Sequence, residues 1–134
     1  MKPKVMKVLG LIAAVFVTIL MLVSAVMKGV VADVDPEIQR QFVARGLYHI
    51  RYGLAFAGLA LPVLYWYRRT STLALVLLIG YWAGATATNL TQQNYAELPG
   101  NLGVLAWLAV LSATRHPEIW ARFRGRPVEA APAT

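Results

Sequence analysis

Residues 70–96, TSTLALVLLIGYWAGATATNLTQQNYA, contain no Asp, Glu, Lys or Arg. A hydrocarbon core of roughly 30 Å needs about 20 apolar residues in a helix, and this run meets that length with a polar fringe at each end. Three more stretches are free of formal charge: 8–27, 52–67 and 98–114. Together the four cover more than half of the 134 residues. The composition agrees, being 58% hydrophobic and 14% charged, where a soluble domain carries roughly 25% charged residues. The pattern predicts an all-α integral membrane protein, a four-helix up-down bundle, because a chain in lipid must satisfy its backbone internally. Four crossings nearly use up the chain, which excludes a soluble enzyme domain. With no cysteine, disulfides, thiol nucleophiles and thiolate metal sites are excluded too.

Working outward from the 70–96 run, the predicted transmembrane helices cover about 5–27, 45–67, 72–89 and 99–114. They form a single domain over residues 1–127, followed by a flexible Pro/Ala-rich tail at 128–134. Val23-Ser24-Ala25 resembles a signal cleavage site, but the 8–27 run is long for a signal core, so it reads as a retained helix. Asp35-Pro36-Glu37 is a helix start: a capping carboxylate, a proline suited to the first helical position, and an acid at the positive dipole end. A short interfacial helix over 36–44 then dips Ile38 and Phe42 into lipid. The pattern P-E-I-x-x-x-F recurs at 117–123, predicting a second interfacial helix over 117–124. There Trp120 and Phe123 meet lipid while Arg122 and Arg124 meet its headgroups. Tyr65-Trp66-Tyr67 before Arg68-Arg69 reads as an aromatic belt ending helix 2, with Trp66 at the interface.

The net charge of +7 alone would suit nucleic acid as a partner, but the cations flank apolar runs instead of clustering on a soluble face. Lys2, Lys4, Lys7, Arg68, Arg69, Arg115, Arg122, Arg124 and Arg126 fall on one side of the predicted topology, against Glu118 and Glu129. On the other side Lys28, Arg40, Arg45 and Arg51 balance Asp33, Asp35, Glu37 and Glu97. The positive-inside rule therefore places both termini in the cytoplasm, in a bacterial inner membrane.

Small residues recur at intervals of four: Gly80, Gly84 and Thr88 in helix 3, and Gly10, Ala14 and Thr18 in helix 1, with Gly58 on the close-packed side of helix 2. In lipid such stripes let helices approach. They are expected to pack the bundle together, with a homo-oligomer face as the alternative. Polar residues gather towards the outer side: His49, Arg51, Tyr52, Asn89, Asn94, Glu97 and Asn101. The topology brings them to one depth, so a polar pocket at the outer mouth of the bundle is the candidate ligand site. Arg51 lies about 24 Å of helix from Arg68, at the membrane boundary, where a buried arginine needs a partner. Glu97 is the expected one, with Asn89 or Asn101 satisfying spare donors. The other histidine, His116, falls at the opposite face from His49, so the two cannot share a haem or metal. No apolar run carries Asp or Glu, which argues against a proton-coupled carrier. No cofactor is expected, although a His, a Tyr and apolar walls suffice for a quinone head group.

Gly80-Tyr81-Trp82-Ala83-Gly84-Ala85-Thr86-Ala87-Thr88-Asn89, then a polar loop and Leu98-Pro99 opening helix 4, resembles the second half of DoxX-like small membrane proteins. Arg51-Tyr52-Gly53 at the start of helix 2 is similar to an element of related four-helix families. The resemblance implies a four-helix membrane fold and an association with thiosulfate–quinone oxidoreduction or with redox and assembly complexes. The helix-2 glutamate common in such families is missing, and Asn89 stands where a histidine is frequent. The expected role is a non-catalytic membrane subunit or accessory factor working with other membrane subunits. The alternative is a quinone-linked or small-lipophile-binding subunit using the outer pocket.

Overall fold

The computed structural model describes residues 2–125; the tail expected at 128–134 lies outside them. Among the described residues the chain is helical throughout, with short turns. Helix α1 spans Pro3–Val26 and passes without a break into a π turn, Met27–Val31, and a final α-helical turn α2, Ala32–Val34. The first helix therefore ends well beyond the residue 27 expected for it. Asp35 stops it. The residue before a proline disfavours the α region, and Asp35 is extended, with φ −107° and ψ 110°. Its side chain accepts the Glu37 N–H at 3.0 Å, which starts α3, Pro36–Ala44.

A turn at Gly46, with φ +69°, and a 3-10 turn at Tyr48–Ile50 lead into α4, Arg51–Trp66. The segment Tyr48–Trp66 is bent by 108° from α3, so α3 lies across the end of the bundle. Helix α5 follows at Ser71–Thr91, α6 at Leu98–Arg115 and the short α7 at Pro117–Phe123. Three helical stretches are long and apolar enough to cross a membrane: Pro3–Val34, Arg68–Thr91 and Tyr95–Arg115. The bent pair that includes α4 makes a fourth if it counts as one span.

The four long helices close into a ring: α1 packs on α4 and α6, and α5 packs on the same two. Trp66 Nε1, at the end of α4, donates to Thr18 Oγ1 of α1 at 2.9 Å, while Arg51, at the start of α4, bonds Asp33. The two helices therefore run in opposite directions. Gly10 faces Thr114 and Arg115 and Phe16 faces Trp107 at 5.4 Å, so α6 also opposes α1. At the centre Met21, Leu75, Leu78, Leu108 and Leu111 are fully buried among Ala13, Ala14 and Val17.

Outside the ring the surface is apolar. Phe56, Val63, Val8 and Ile19 are all exposed, a surface suited to hydrocarbon and not to water. The stripe Gly80–Gly84–Thr88 corrects an expectation, because it does not pack the bundle. Gly80 and Gly84 are exposed on the outside of α5, and a Cβ on either would meet nothing within 4 Å. Gly10, Ala14 and Gly58 do face neighbours. A Cβ on Gly58 would sit 3.0 Å from Ala25 Cβ and 3.1 Å from the Met21 carbonyl oxygen.

Candidate functional site: the polar end of the bundle

The continuation of α1 into α2 brings Asp33 to the start of α4. There Arg51, 7% exposed, donates from Nη2 to Asp33 Oδ1, correcting the expected Arg51–Glu97 pair. Nη1 donates to the Tyr48 carbonyl at 3.0 Å, and Nη2 also reaches Tyr52 Oη at 2.9 Å. Tyr52 in turn donates to Asp33 Oδ2 at 2.6 Å. The guanidinium lies 4.0 Å from the Tyr48 ring centroid and 4.1 Å from that of Tyr52, within cation–π range of both. Thus Asp33 and two tyrosines fill the roles expected of Glu97, Asn89 and Asn101; the arginine Nε alone stays buried without a partner.

Glu97 instead accepts from Arg45 Nη2 at 2.5 Å, and Gln92 Nε2 donates to the Arg45 carbonyl. These two contacts tie the α5–α6 connection to the chain entering α4. Asn89 is buried, and Asn94 Nδ2 reaches its Oδ1 at 3.5 Å, a long contact. His49 is exposed in the 3-10 turn, its ring edge-on to Tyr48 at 6.0 Å. Asn101 is buried in the first turn of α6. The residues expected in one pocket share one end of the bundle but divide among separate contacts.

Two groupings lay outside the sequence reading. Lys28, inside the π turn, donates to Ser24 Oγ at 2.5 Å and to Tyr81 Oη at 2.6 Å, linking α1 to α5 across the ring. At the opposite end His116 is buried, with Tyr65 Oη 3.2 Å from Nε2 and Glu118 Oε1 3.3 Å from Nδ1. Thr72 Oγ1 also donates to that carboxylate oxygen, at 3.1 Å. A carboxylate only accepts, so Nδ1 carries the proton and Nε2 accepts from the tyrosine. Burial holds the His116 pKa below the ordinary histidine value, with Glu118 opposing in part. The sequence signals were present: Lys28 and Asp33 stand five apart with no proline between them, and His116-Pro117-Glu118 opens a helix.

The interfacial residues take these positions: Ile38 and Phe42 are half-buried on α3, Trp66 and Trp120 are partly exposed, and Phe123 is 82% exposed. Arg122 is exposed on α7, and Arg124 just after it. Trp120 Nε1 donates to Ser112 Oγ at 3.2 Å, holding α7 against α6. Arg115 lies over the Tyr65 and Trp66 rings at 5.7 and 5.4 Å. Arg68, Arg69 and Arg115 therefore gather at the His116 end.

Beside the first turns of α6 lies a cleft of about 470 Å³, lined by Phe16, Trp82, Asn101, Trp107 and the glycines 100 and 103, with Glu97 also lining it. Among the described residues no three of His, Cys, Asp and Glu converge as metal ligands do. No curated protein and no solved structure matches the chain. A family model does: the DoxX-like family matches residues 52–112, taking in nearly all of α4, all of α5 and most of α6. From Tyr52 to Ser112 this chain is thus similar to the DoxX-like family, a likeness that extends the one carried by Gly80–Asn89 and Leu98-Pro99.

Proposed function

We propose that this is a four-pass, up-down bundle of a bacterial inner membrane, with both termini in the cytoplasm. It serves as a non-catalytic subunit or accessory factor of a larger membrane complex. The fourth crossing is α4, whose residues from Tyr52 to Trp66 carry no formal charge. Orientation rests on Arg68, Arg69 and Arg115 at the His116 end, the end where α1 begins with Lys4 and Lys7.

The observation that carries the subunit reading is the outer face of α5. Gly80, Ala83, Gly84 and Ala87 are exposed there, and the glycine Cβ positions are open to 4 Å. Lipid gains no special contact from such a surface, whereas a second helix gains close backbone approach. The occupant that fits is a transmembrane helix of another subunit. The polar end of the bundle supports a scaffold role as well, since Arg51, Asp33 and Tyr52 bond one another and Arg45 pairs separately with Glu97.

A pull-down from native membranes in mild detergent tests the reading. Wild-type protein is expected to retain a defined membrane partner that Gly84→Leu loses while remaining folded. Recovery of the chain alone, or a partner that Gly84→Leu retains in full, would overturn it.

A further inference from the structure

Five arginines belong to the His116 end: Arg68, Arg69, Arg115, Arg122 and Arg124. Glu118 is the one carboxylate there among the described residues, and it is already engaged. It accepts from Thr72 at 3.1 Å and lies 3.3 Å from His116 Nδ1. Arg115 lies over two aromatic rings, and among the described residues none of the five arginines pairs with a carboxylate. This end of the bundle therefore presents positive charge that the described chain does not answer.

The helices also shape a space here. His116, the residue before a proline, leaves the helical region with φ −131° and ψ 58°, so α6 stops and α7 starts in a new direction. Trp120 Nε1 then holds α7 to Ser112 of α6. Between the two helices lies a trough of about 450 Å³, lined by the small residues Ala113, Pro117 and Ala121, by Trp120 and by Arg124. Four of these five are apolar and the fifth is a cation. Phe123 is 82% exposed beside Trp120, their ring centroids 6.4 Å apart. Such a pair suits the level where lipid headgroups meet their chains.

An occupant of the trough has to offer Arg124 an anion and the alanines hydrocarbon. A soluble anion leaves the apolar lining uncovered. A zwitterionic headgroup brings a phosphate but also a cation, which the other four arginines repel. We propose that the α6–α7 trough is a binding site for an anionic phospholipid. Its phosphate sits on the Arg124 guanidinium, whose fork of donors matches phosphate oxygens, and the first part of an acyl chain lies against Ala113 and Ala121. Neither the orientation of the bundle nor a partner helix enters into this site.

Trp120 reports on it. The full chain is placed in phosphatidylcholine nanodiscs with a rising fraction of phosphatidylglycerol brominated near the headgroup end of its chains, and tryptophan quenching is compared with that from brominated phosphatidylcholine at equal fraction. The anionic lipid is expected to quench more and to saturate at a low fraction, and Trp120→Phe should remove the excess. Arg124→Gln should raise the half-saturating fraction about fivefold, the weight of one basic residue near an anionic surface. Arg122→Gln removes an equal charge from α7 outside the trough and should shift it little. Ala113→Leu keeps every charge and fills the trough. Ala113 is exposed, so the SDS unfolding midpoint of that variant should hold while the excess quenching disappears. The proposal falls if the two lipids quench alike, or if the excess survives Trp120→Phe or Ala113→Leu. It falls too if Arg122→Gln and Arg124→Gln shift the curve equally, the mark of diffuse attraction to an arginine-rich surface.

Discussion

Gly58→Leu and Gly84→Leu place the same side chain on neighbouring helices, and the structure predicts opposite results. At position 58 the new Cβ would stand 3.0 Å from Ala25 Cβ and 3.1 Å from the Met21 carbonyl oxygen, where comfortable contact is about 3.5–4.0 Å. One of the two obstacles is backbone, so α1 and α4 must separate by roughly half an ångström for the first carbon alone. The remaining three carbons have to enter an interface that also includes buried Ala55 and Leu61. Overpacking of this kind costs about 1–3 kcal/mol, and the better helix propensity of leucine returns at most about 1 kcal/mol. The expected net loss is therefore about 1 kcal/mol. At position 84 the propensity gain stands unopposed, for a change between zero and about 1 kcal/mol in favour of the fold. The midpoint of SDS-induced unfolding in mixed micelles, followed by circular dichroism, measures both. Equal shifts, or a larger loss at position 84, would refute the assignment of inner and outer faces.

Asp33→Asn should destabilise the bundle more than Glu97→Gln: the two carboxylates are similarly exposed, but Asp33 serves an arginine whose side chain is 9% exposed, whereas the Arg45 side chain paired with Glu97 is 27% exposed and such half-solvated pairs contribute about 0–1 kcal/mol. The same SDS midpoints decide it, and equal losses would return Arg51 to a partner other than Asp33. His116 makes stability depend on pH. Its folded pKa lies below the ordinary value, so the unfolded state binds the proton first on acidification. Stability is full above the ordinary histidine range and falls as the pH drops through it towards the folded value. His116→Gln should flatten that acid slope, and an unchanged slope would assign it elsewhere. Since the chain has no cysteine, single replacements report topology: a membrane-impermeant maleimide on intact cells is expected to label Tyr95→Cys and not Phe123→Cys, and the reverse pattern would invert the orientation.

The helices were legible because their signals are local. Charge-free runs marked the long segments, and Asp35-Pro36-Glu37 marked the start of α3, where the carboxylate caps as the pattern requires. What local signals missed was the end of α1. Lys28, Gly29 and Asp33 read as a polar loop, but nothing between them forbids helical geometry, and the first residue that does is Asp35 before its proline. The chain continues through a π turn, a form often associated with functional positions, and that continuation carries Asp33 to Arg51. The choice between two carboxylates for one arginine was made by about two turns of helix that composition disguised.

Which way each face points was not legible, and the reason is specific to membranes. In water the apolar side of a helix identifies its buried side; in lipid the tails outside are as apolar as the core within, so both sides of α5 look alike. Leu75 and Leu78 turn inward while Val76 and Leu77 turn outward, and no hydropathy difference separates them. The Gly80–Gly84 period was visible, its direction was not. Polar atoms escape this ambiguity because hydrocarbon penalises them wherever they are unpaired. Arg51, Lys28 and His116 all have partners. Among the described residues three buried nitrogens do not: Asn101 Nδ2, Trp82 Nε1 and the Nε of Arg51. In a chain whose apolar residues are mute about orientation, the paired polar groups are what fix which side of each helix faces inward.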